Sequence, residues 1–276
     1  MEVRPLGMVL GAEIVGLDLS RPLDDGARAG IHKALLDHQV VVLREVELSP
    51  NEHIRLGEQF GEVEVHAFFP HLGPGHERIS VLDSEDGTRS SMWHTDESFL
   101  ERPPMGTLLH ARMLPPVGGD TCWTSMTAAY ETLSSSMQRY LESMTAEHGL
   151  SRIAEMKQRA GHAGPDEVAA AIAEDRRATH PVVHVHPETG ARALYVNPTY
   201  TRWLDGVPAD ESDAILRLLY THATHERFVY RHRWSDGDFV IWDNRCTMHI
   251  ALADYHARRR MHRVSVLGAG PIAAAN

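Results

Sequence analysis

From residue 79 onward the chain breaks into short apolar, β-branched and aromatic runs, each closed by Gly, Pro or Asp: "ISVLD", "TLLHAR", "DTCWTS", "VVHVHP", "ALYVNP", "FVYRHRW", "DFVIWDN" and "MHRVSVLG". Runs this short do not make helices, and no regular helical spacing alternates with them as a doubly wound parallel sheet would require. The pattern predicts a mainly β fold, a sandwich or jelly roll, with helical insertions at about 127–147 and 210–224. Upstream, "MVLGAEIVGLDL" at 8–19 alternates well enough for a first hairpin, and "RPLDDGARAGIHKALLDHQ" carries helical spacing through Ile31, Leu35 and Leu36. "VVVLR" at 40–44 reads as a short buried strand. In "SPNEHIRLGEQFG", Ser49 and Glu52 form a capping-box start, Pro50 takes the first helical position and Gly61 stops the helix. No repeat or low-complexity linker divides the chain, so one domain, 1–276, is expected. The charged, alanine-rich stretch 151–180 reads as a surface excursion and candidate lid.

With 27 basic against 38 acidic residues, the net charge of −11 lacks the basic footprint that nonspecific nucleic-acid binding needs. A small anionic ligand would need a local basic cluster. Only two cysteines, Cys122 and Cys246, argue against a disulfide framework and for a reducing interior. No secretory leader or membrane span is legible, since a span needs about 18 apolar residues in a row. A cytoplasmic enzyme-sized domain is therefore expected, without a membrane partner. Ile215, Leu216 and Leu219 make an apolar stripe on the 210–224 helix, which packs on its own sheet or joins copies into a homo-oligomer, a dimer or tetramer.

The stretch "WHTDESF" at 93–99 carries the first chemical signal. On extended backbone, side chains at i and i+2 leave the same face, so His94 and Asp96 can approach one ion while Thr95 points away. The pair alone equally fits a hydrogen-bonded His–Asp contact. Two histidines and a carboxylate on one face of iron(II) would leave three positions open, and that set needs a second histidine. His249, in "VIWDNRCTMHIALADY", lies just beyond a strand and a turn and is the candidate. Cys246 lies three before it, faces the other side of an extended chain, and reads as a small core residue rather than a zinc partner.

In "ARRRMHRVSVLG", a strand would turn Arg259, Met261 and Arg263 one way and Arg260 and His262 the other. Arg259 and Arg263 would then stand ~13 Å apart, which suits two separate anionic groups. Solvated arginines on an edge strand fit the same pattern. Trp93, Trp123 and Trp242 read as core, with site lining as the alternative, and Tyr195 and Asn197 are pocket candidates.

The set "WHTDESF", "GGDTCWTS", "WDNRCTMH…ADY" and "RRRMHRVSVLG", opening with "GAEIVGLDLSRPLDD", resembles the iron(II)- and 2-oxoglutarate-dependent dioxygenases typified by taurine dioxygenase and 2,4-dichlorophenoxyacetate dioxygenase. The resemblance spans nearly the whole chain and implies a double-stranded β-helix (jelly-roll) core. It makes His94, Asp96 and His249 the Fe(II) ligands and catalytic residues. Arg259, aided by Thr121, becomes the anchor of the distal 2-oxoglutarate carboxylate, with Arg260 as the alternative. Arg263 and His66, in "EVHAFFPH", become binders of an anionic group on the primary substrate. Phe69 and Ser90 stand where taurine enzymes carry a pocket tyrosine and an asparagine, which argues against taurine itself.

The implied reaction consumes O2 and 2-oxoglutarate, yields succinate and CO2, and oxidises a C–H of a small anionic sulfonate, sulfate ester or carboxylate. Hydroxylation beside a sulfur or ether oxygen gives an adduct that falls apart, cleaving a C–S or C–O bond. The alternatives are a hydroxylase of an amino acid or natural-product intermediate whose product is stable, and a non-catalytic jelly-roll binding protein.

Overall fold

The computed structural model describes residues 1–19, 21–66, 69–86, 92–159, 164–270 and 272–275. The first half runs β1 (Glu2–Pro5), β2 (Ala12–Val15), α1 (Asp25–His38), β3 (Val40–Leu43), α2 (Pro50–Glu58), β4 (Ser80–Asp83), β5 (Pro104–Met113), β6 (Thr121–Ser125), α3 (Met126–Glu131) and α4 (Ser135–Glu142). The second runs β7 (Thr145–Gly149), α5 (Arg152–Arg159), α6 (Pro165–Ala173), β8 (Arg177–Pro181), β9 (Val183–Val185), β10 (Arg192–Leu194), β11 (Thr201–Leu204), α7 (Ala209–Ala223), β12 (Val229–His232), β13 (Phe239–Asp243), β14 (Thr247–Ala251) and β15 (Arg260–Leu267).

Seven strands form the main sheet in the order β1-β2-β3-β13-β5-β15-β4, and β12-β6-β14 form a second sheet. Period-2 alternation explains why the central runs are apolar throughout. Val41, Leu43, Phe239 and Ile241 face a core shared with Ile31 and Leu35 of α1 and Ile54 of α2. Their neighbours Val40, Val42, Val240 and Trp242 face a second core that holds Trp123 of β6. A sheet buried on both faces has no polar face to show in sequence. The third core lies under α3, α4 and α7, where Leu216 and Leu219 are buried.

Ser49 Oγ accepts from Glu52 N while the Glu52 carboxylate accepts from Ser49 N, so the capping box forms as expected, with Pro50 in the first turn. Two expectations are corrected. The first hairpin is β1–β2, Glu2↔Val15 to Pro5↔Ala12, so its first strand lies upstream of residue 8. The insertion at 127–147 is two helices, because Ser134 caps a fresh start at Met137 N, and it gives way to β7 at Thr145. The last residues of the 151–180 stretch, from Arg177, belong to strand β8, which pairs with β7. His249 lies beyond β13 and the turn after it, as expected, and is itself part of a further strand, β14. No helix among the described residues is long and apolar enough to cross a membrane.

Three core histidines tie stability to pH. The Nε2 atoms of His53, His110 and His184 face the carbonyls of Leu108, Val46 and Arg245 at 3.3, 2.9 and 2.6 Å. Burial pulls their imidazoles down, to about 3 for His53 and about 4 for His110 and His184. The unfolded chain therefore takes up protons below about 6.5 that the fold refuses. Their stabilising contribution is complete above that pH and is lost as pH falls toward about 4 and then about 3, at roughly 3–5 kcal/mol each. The urea midpoint of metal-free protein should drop steeply on acidification through this window; a midpoint flat down to about pH 4.5 contradicts the assignment of neutral, buried imidazoles.

Candidate active site

His94 joins β14 through a one-residue antiparallel bridge: His94 N donates to His249 O at 3.0 Å and His249 N to His94 O at 2.8 Å. That exchange sets the two side chains directly opposite each other, with ring centroids 4.1 Å apart. Asn244, in the turn before β14, clamps the next residues. Its Oδ1 accepts from Asp96 N at 2.9 Å, and its Nδ2 donates to Asp96 O at 3.0 Å and Pro104 O at 3.1 Å. Thr95 points away and donates to Thr247 O at 3.1 Å. Thr107 Oγ1 donates to Asp96 Oδ2 at 2.9 Å, which turns Oδ1 toward the histidines.

Asp96 Oδ1 lies 3.6 Å from His94 Nε2 and 3.8 Å from His249 Nε2, and one donor atom from each residue falls within 4.8 Å of the others. Donors each about 2.0–2.2 Å from one ion stand about 3–4 Å from one another, so the spacing fits a shared metal better than a direct hydrogen bond. The protonation states agree. His94 Nδ1 donates to Met92 O at 2.9 Å, leaving the Nε2 lone pair for a ligand. Burial pulls the His249 imidazole down to about 3, keeping it neutral. Burial opposes ionisation of Asp96, but neighbouring His249 and Arg263 outweigh it and hold the carboxyl well below its usual range. Behind His249 stand Trp242 and Trp123, centroids at 4.8 and 6.4 Å, both in the core as expected of large aromatics. Trp93 packs against the third core.

His186, Asp243 and Cys246 form another close group of donor types, but its carboxylate is saturated. Asp243 Oδ1 accepts from Arg245 N and Nε at 2.9 and 2.8 Å, and Oδ2 from Arg245 Nη2 and His186 Nε2 at 2.6 and 2.9 Å. This network braces the turn into β14. Cys246 is buried and not grouped with His249.

Arg259 is buried beside Thr121: its Nε donates to Gly119 O at 3.1 Å, its Nη2 approaches Thr121 Oγ1 at 3.5 Å, and its guanidinium lies 5.7 Å from the Trp234 ring. Trp234 Nε1 fixes the threonine from the other side at 3.0 Å. A Cβ on Gly119, which has φ +74, would come 3.1 Å from Arg259 Cδ, so the close approach requires glycine. Those partners are neutral, and burial pulls the guanidinium below its ordinary value. Thr121 is paired with Ala251 and Trp123 with His249, so the arginine pocket lies two strand positions, about 7 Å, from the histidine. Arg260 turns instead toward Asp83 at 3.8 Å.

Arg263 is buried on the face of β15 that carries Met261, and Arg259, the residue just before the strand, is buried as well. Its Nη1 is 3.4 Å from Asp96 Oδ1, its guanidinium stacks 4.6 Å from the Phe69 ring, and its Nε and Nη2 have no hydrogen-bond partner among the described residues. His66 Nε2 lies 3.1 Å from Glu97 Oε1, and its ring is 4.6 Å from Phe69. Ser90 lies outside the described residues. Asn197 Nδ2 donates to Ser98 Oγ at 2.9 Å, behind the metal loop, and Tyr195 stacks on buried His148.

Five residues of this neighbourhood escaped the sequence reading. Asn244 and Thr107 hold Asp96. Glu97, buried with φ +48, and half-buried Glu64 lie beside His66; burial and then Glu97 push the Glu64 carboxyl up to about 7. Tyr200 presents its ring edge-on to His94 at 6.4 Å. Glu97 alone carried a signal, an acidic residue adjoining a ligand pair.

A family model described as "Taurine catabolism dioxygenase TauD, TfdA family" matches residues 2–265. An alkylsulfatase of Acinetobacter baylyi is 34% identical over 272 residues, covering 97% of this chain and 85% of that protein. An alpha-ketoglutarate-dependent sulfate ester dioxygenase of Pseudomonas putida is 31% identical over 283 residues, covering 99% and 91%. The crystal structure of a taurine dioxygenase from Burkholderia xenovorans superposes with a TM-score of 0.83 at 32% identity, covering 100% of this chain and 94% of that one.

Proposed function

Because this chain belongs to the taurine catabolism dioxygenase TauD, TfdA family and is a 2-oxoglutarate-dependent dioxygenase, we propose that it oxidises a small organic anion, a sulfate ester foremost, at His94, Asp96 and His249. The observation that carries the reading is the convergence of those three donors on one buried point. Iron(II) bound there would supply the dioxygen chemistry that couples decarboxylation of 2-oxoglutarate, to succinate and CO2, with oxidation of a substrate C–H.

The remaining work falls to the chain. Arg259 and Thr121 hold the distal carboxylate of 2-oxoglutarate and so orient its ketoacid end toward the histidines. Arg263, with two unpartnered nitrogens and Phe69 beneath it, receives the sulfate group, with His66 beside it. Thr107 and Asn244 keep Asp96 aimed. The main sheet and the β12-β6-β14 sheet are the two faces of a double-stranded β-helix, and the whole chain works as one catalytic domain.

The sulfate ester is favoured because two of the relatives described above act, by their names, on sulfate esters. Hydroxylation of the carbon bearing the ester oxygen yields a hemiacetal-type adduct that collapses to an aldehyde and inorganic sulfate. Alkyl sulfates, alkyl sulfonates, phenoxy acids and amino acids should be compared for stimulated succinate formation, with sulfate release measured alongside. The expected result is stimulation and sulfate release with alkyl sulfates, lost in Arg263→Gln. Stimulation by amino acids alone, with an intact hydroxylated product, would instead establish the stable-product hydroxylase.

A further inference from the structure

We propose that the aromatic column behind His249 carries oxidising equivalents away from the metal site to Tyr230 when no primary substrate is bound, forming a tyrosyl radical there. The inference rests on the proposed metal site at His94, Asp96 and His249.

The column is continuous. From the His249 ring it is 4.8 Å to Trp242, 5.5 Å from Trp242 to Trp123, and 6.4 Å from Trp123 to Tyr230, the last pair nearly parallel at 23°. Trp242 and Trp123 are fully buried, whereas Tyr230 is half-buried, so the path runs outward. Gly11, at φ +92, presses on the tyrosine: a Cβ there would meet three ring atoms at 3.0–3.2 Å. Rings in such contact pass electrons readily.

Packing alone does not account for the choice of side chains. Among the described residues, the buried indole nitrogens Trp123 Nε1 and Trp242 Nε1 have no hydrogen-bond partner. A stranded N–H carries a desolvation cost that phenylalanine would avoid. The same orphan N–H has a redox consequence. An indole that has lost an electron is stabilised by shedding this proton, and neither tryptophan has an acceptor to take it. The vacancy therefore stays mobile.

Tyr230 is different. Its Oη lies 3.0 Å from His232 Nδ1, and His232 Nε2 lies 3.0 Å from Asp238 Oδ2. Asp238 Oδ2 also accepts from Arg44 Nη1 at 2.6 Å and Ser235 N at 2.8 Å, so the carboxylate is an acceptor and His232 Nε2 must donate. That leaves Nδ1 as the base for the phenol proton. Tyr230 is thus the one member of the column able to give up an electron and a proton together. The side branch to Trp234, 6.5 Å from Trp123, is disfavoured by the Arg259 cation 5.7 Å from its ring.

The step balances as follows. In substrate-free turnover, dioxygen and 2-oxoglutarate give succinate and CO2 and leave two oxidising equivalents that no C–H satisfies. One electron passes from Trp242 to the site, Trp123 refills Trp242, and Tyr230 refills Trp123. The phenol proton moves to His232 Nδ1, giving a neutral tyrosyl radical and an imidazolium held by Asp238. A reductant of the ascorbate class supplies the second electron to the site and another to the radical, whose proton returns from His232; the remaining oxygen atom leaves as water.

The test uses iron(II)-loaded enzyme with 2-oxoglutarate and oxygen, no primary substrate and no reductant. Freeze-quenched samples carrying ring-deuterated tyrosine are read by EPR, and peptides from samples with a nitroso spin trap by mass spectrometry. A radical signal narrowed by deuteration and an adduct on Tyr230 are expected. Tyr230→Phe, which removes only the hydroxyl, should lose both and shift oxidation inward to Trp123 and Trp242, while turnover with primary substrate keeps the parent rate. Trp123→Phe should also abolish the Tyr230 adduct. Succinate release with adducts confined to residues beside the metal, unchanged in Tyr230→Phe, overturns the column but leaves the proposed function standing. Absence of succinate here, with release on addition of an alkyl sulfate, overturns the column alone, and absence under both conditions overturns both.

Discussion

His249→Ala abolishes oxygen- and 2-oxoglutarate-dependent turnover. The substitution removes one of three donors from a site that has no fourth: among the described residues, the other close donor group, around Asp243, is internally saturated. Loss of a partner that merely orients a ligand costs roughly 10–100-fold, and loss of the ligand itself should exceed that. The fold should survive, because the His94–His249 bridge is made by backbone atoms and persists with any side chain. Succinate release, with circular dichroism to confirm folding and equilibrium dialysis to measure bound iron(II), separates the effects. Turnover near the parent level in folded His249→Ala places the metal elsewhere.

Arg259→Met separates binding of 2-oxoglutarate from binding of iron. A guanidinium buried among a carbonyl, a hydroxyl and an indole, with no carboxylate paired to it, is a cation awaiting an anion. Removing one partner of a buried, hydrogen-bonded charge pair costs about 2–5 kcal/mol, so the 2-oxoglutarate requirement should rise roughly 30- to 4,000-fold. The iron requirement should hold. The ligand-free protein should melt higher, since an uncompensated buried charge is gone, while the thermal shift that 2-oxoglutarate gives the parent disappears. A variant that turns over normally at low 2-oxoglutarate moves the anchor to another residue, Arg260 being the neighbour.

What the sequence made legible is what local periodicity can encode. The alternation of "RRRMHRVSVLG" pointed to Arg259 and Arg263 as the inward-facing pair, and both are buried, and the spacing of His94 and Asp96 set them on one side of their loop. The resemblance supplied roles for them. Strands β7, β8 and β11 stayed hidden because "TAEHG", "RATHP" and "TRWL" carry polar groups where apolar ones are expected. Those groups are satisfied by distant partners: His148 meets Ser98 at 2.9 Å, His180 meets Leu100 O at 3.0 Å, and Arg202 donates to Glu147 at 3.0 Å and Glu155 at 2.7 Å. No window of sequence contains both members of such pairs. Asn244 escaped for the same reason, since it acts on a residue 148 positions away. β14 was missed because the Asp243–Arg245 turn precedes only five residues of strand, and its tight geometry depends on His186 from another sheet.

The most direct measurement is an anaerobic titration of the metal-free protein with iron(II) in the presence of 2-oxoglutarate, followed in the visible. Chelation of ferrous iron by the ketoacid at this site should produce a charge-transfer band that saturates at one iron per chain and vanishes in His249→Ala. A folded, iron-loaded protein that shows no band, or shows it undiminished in His249→Ala, would contradict the account.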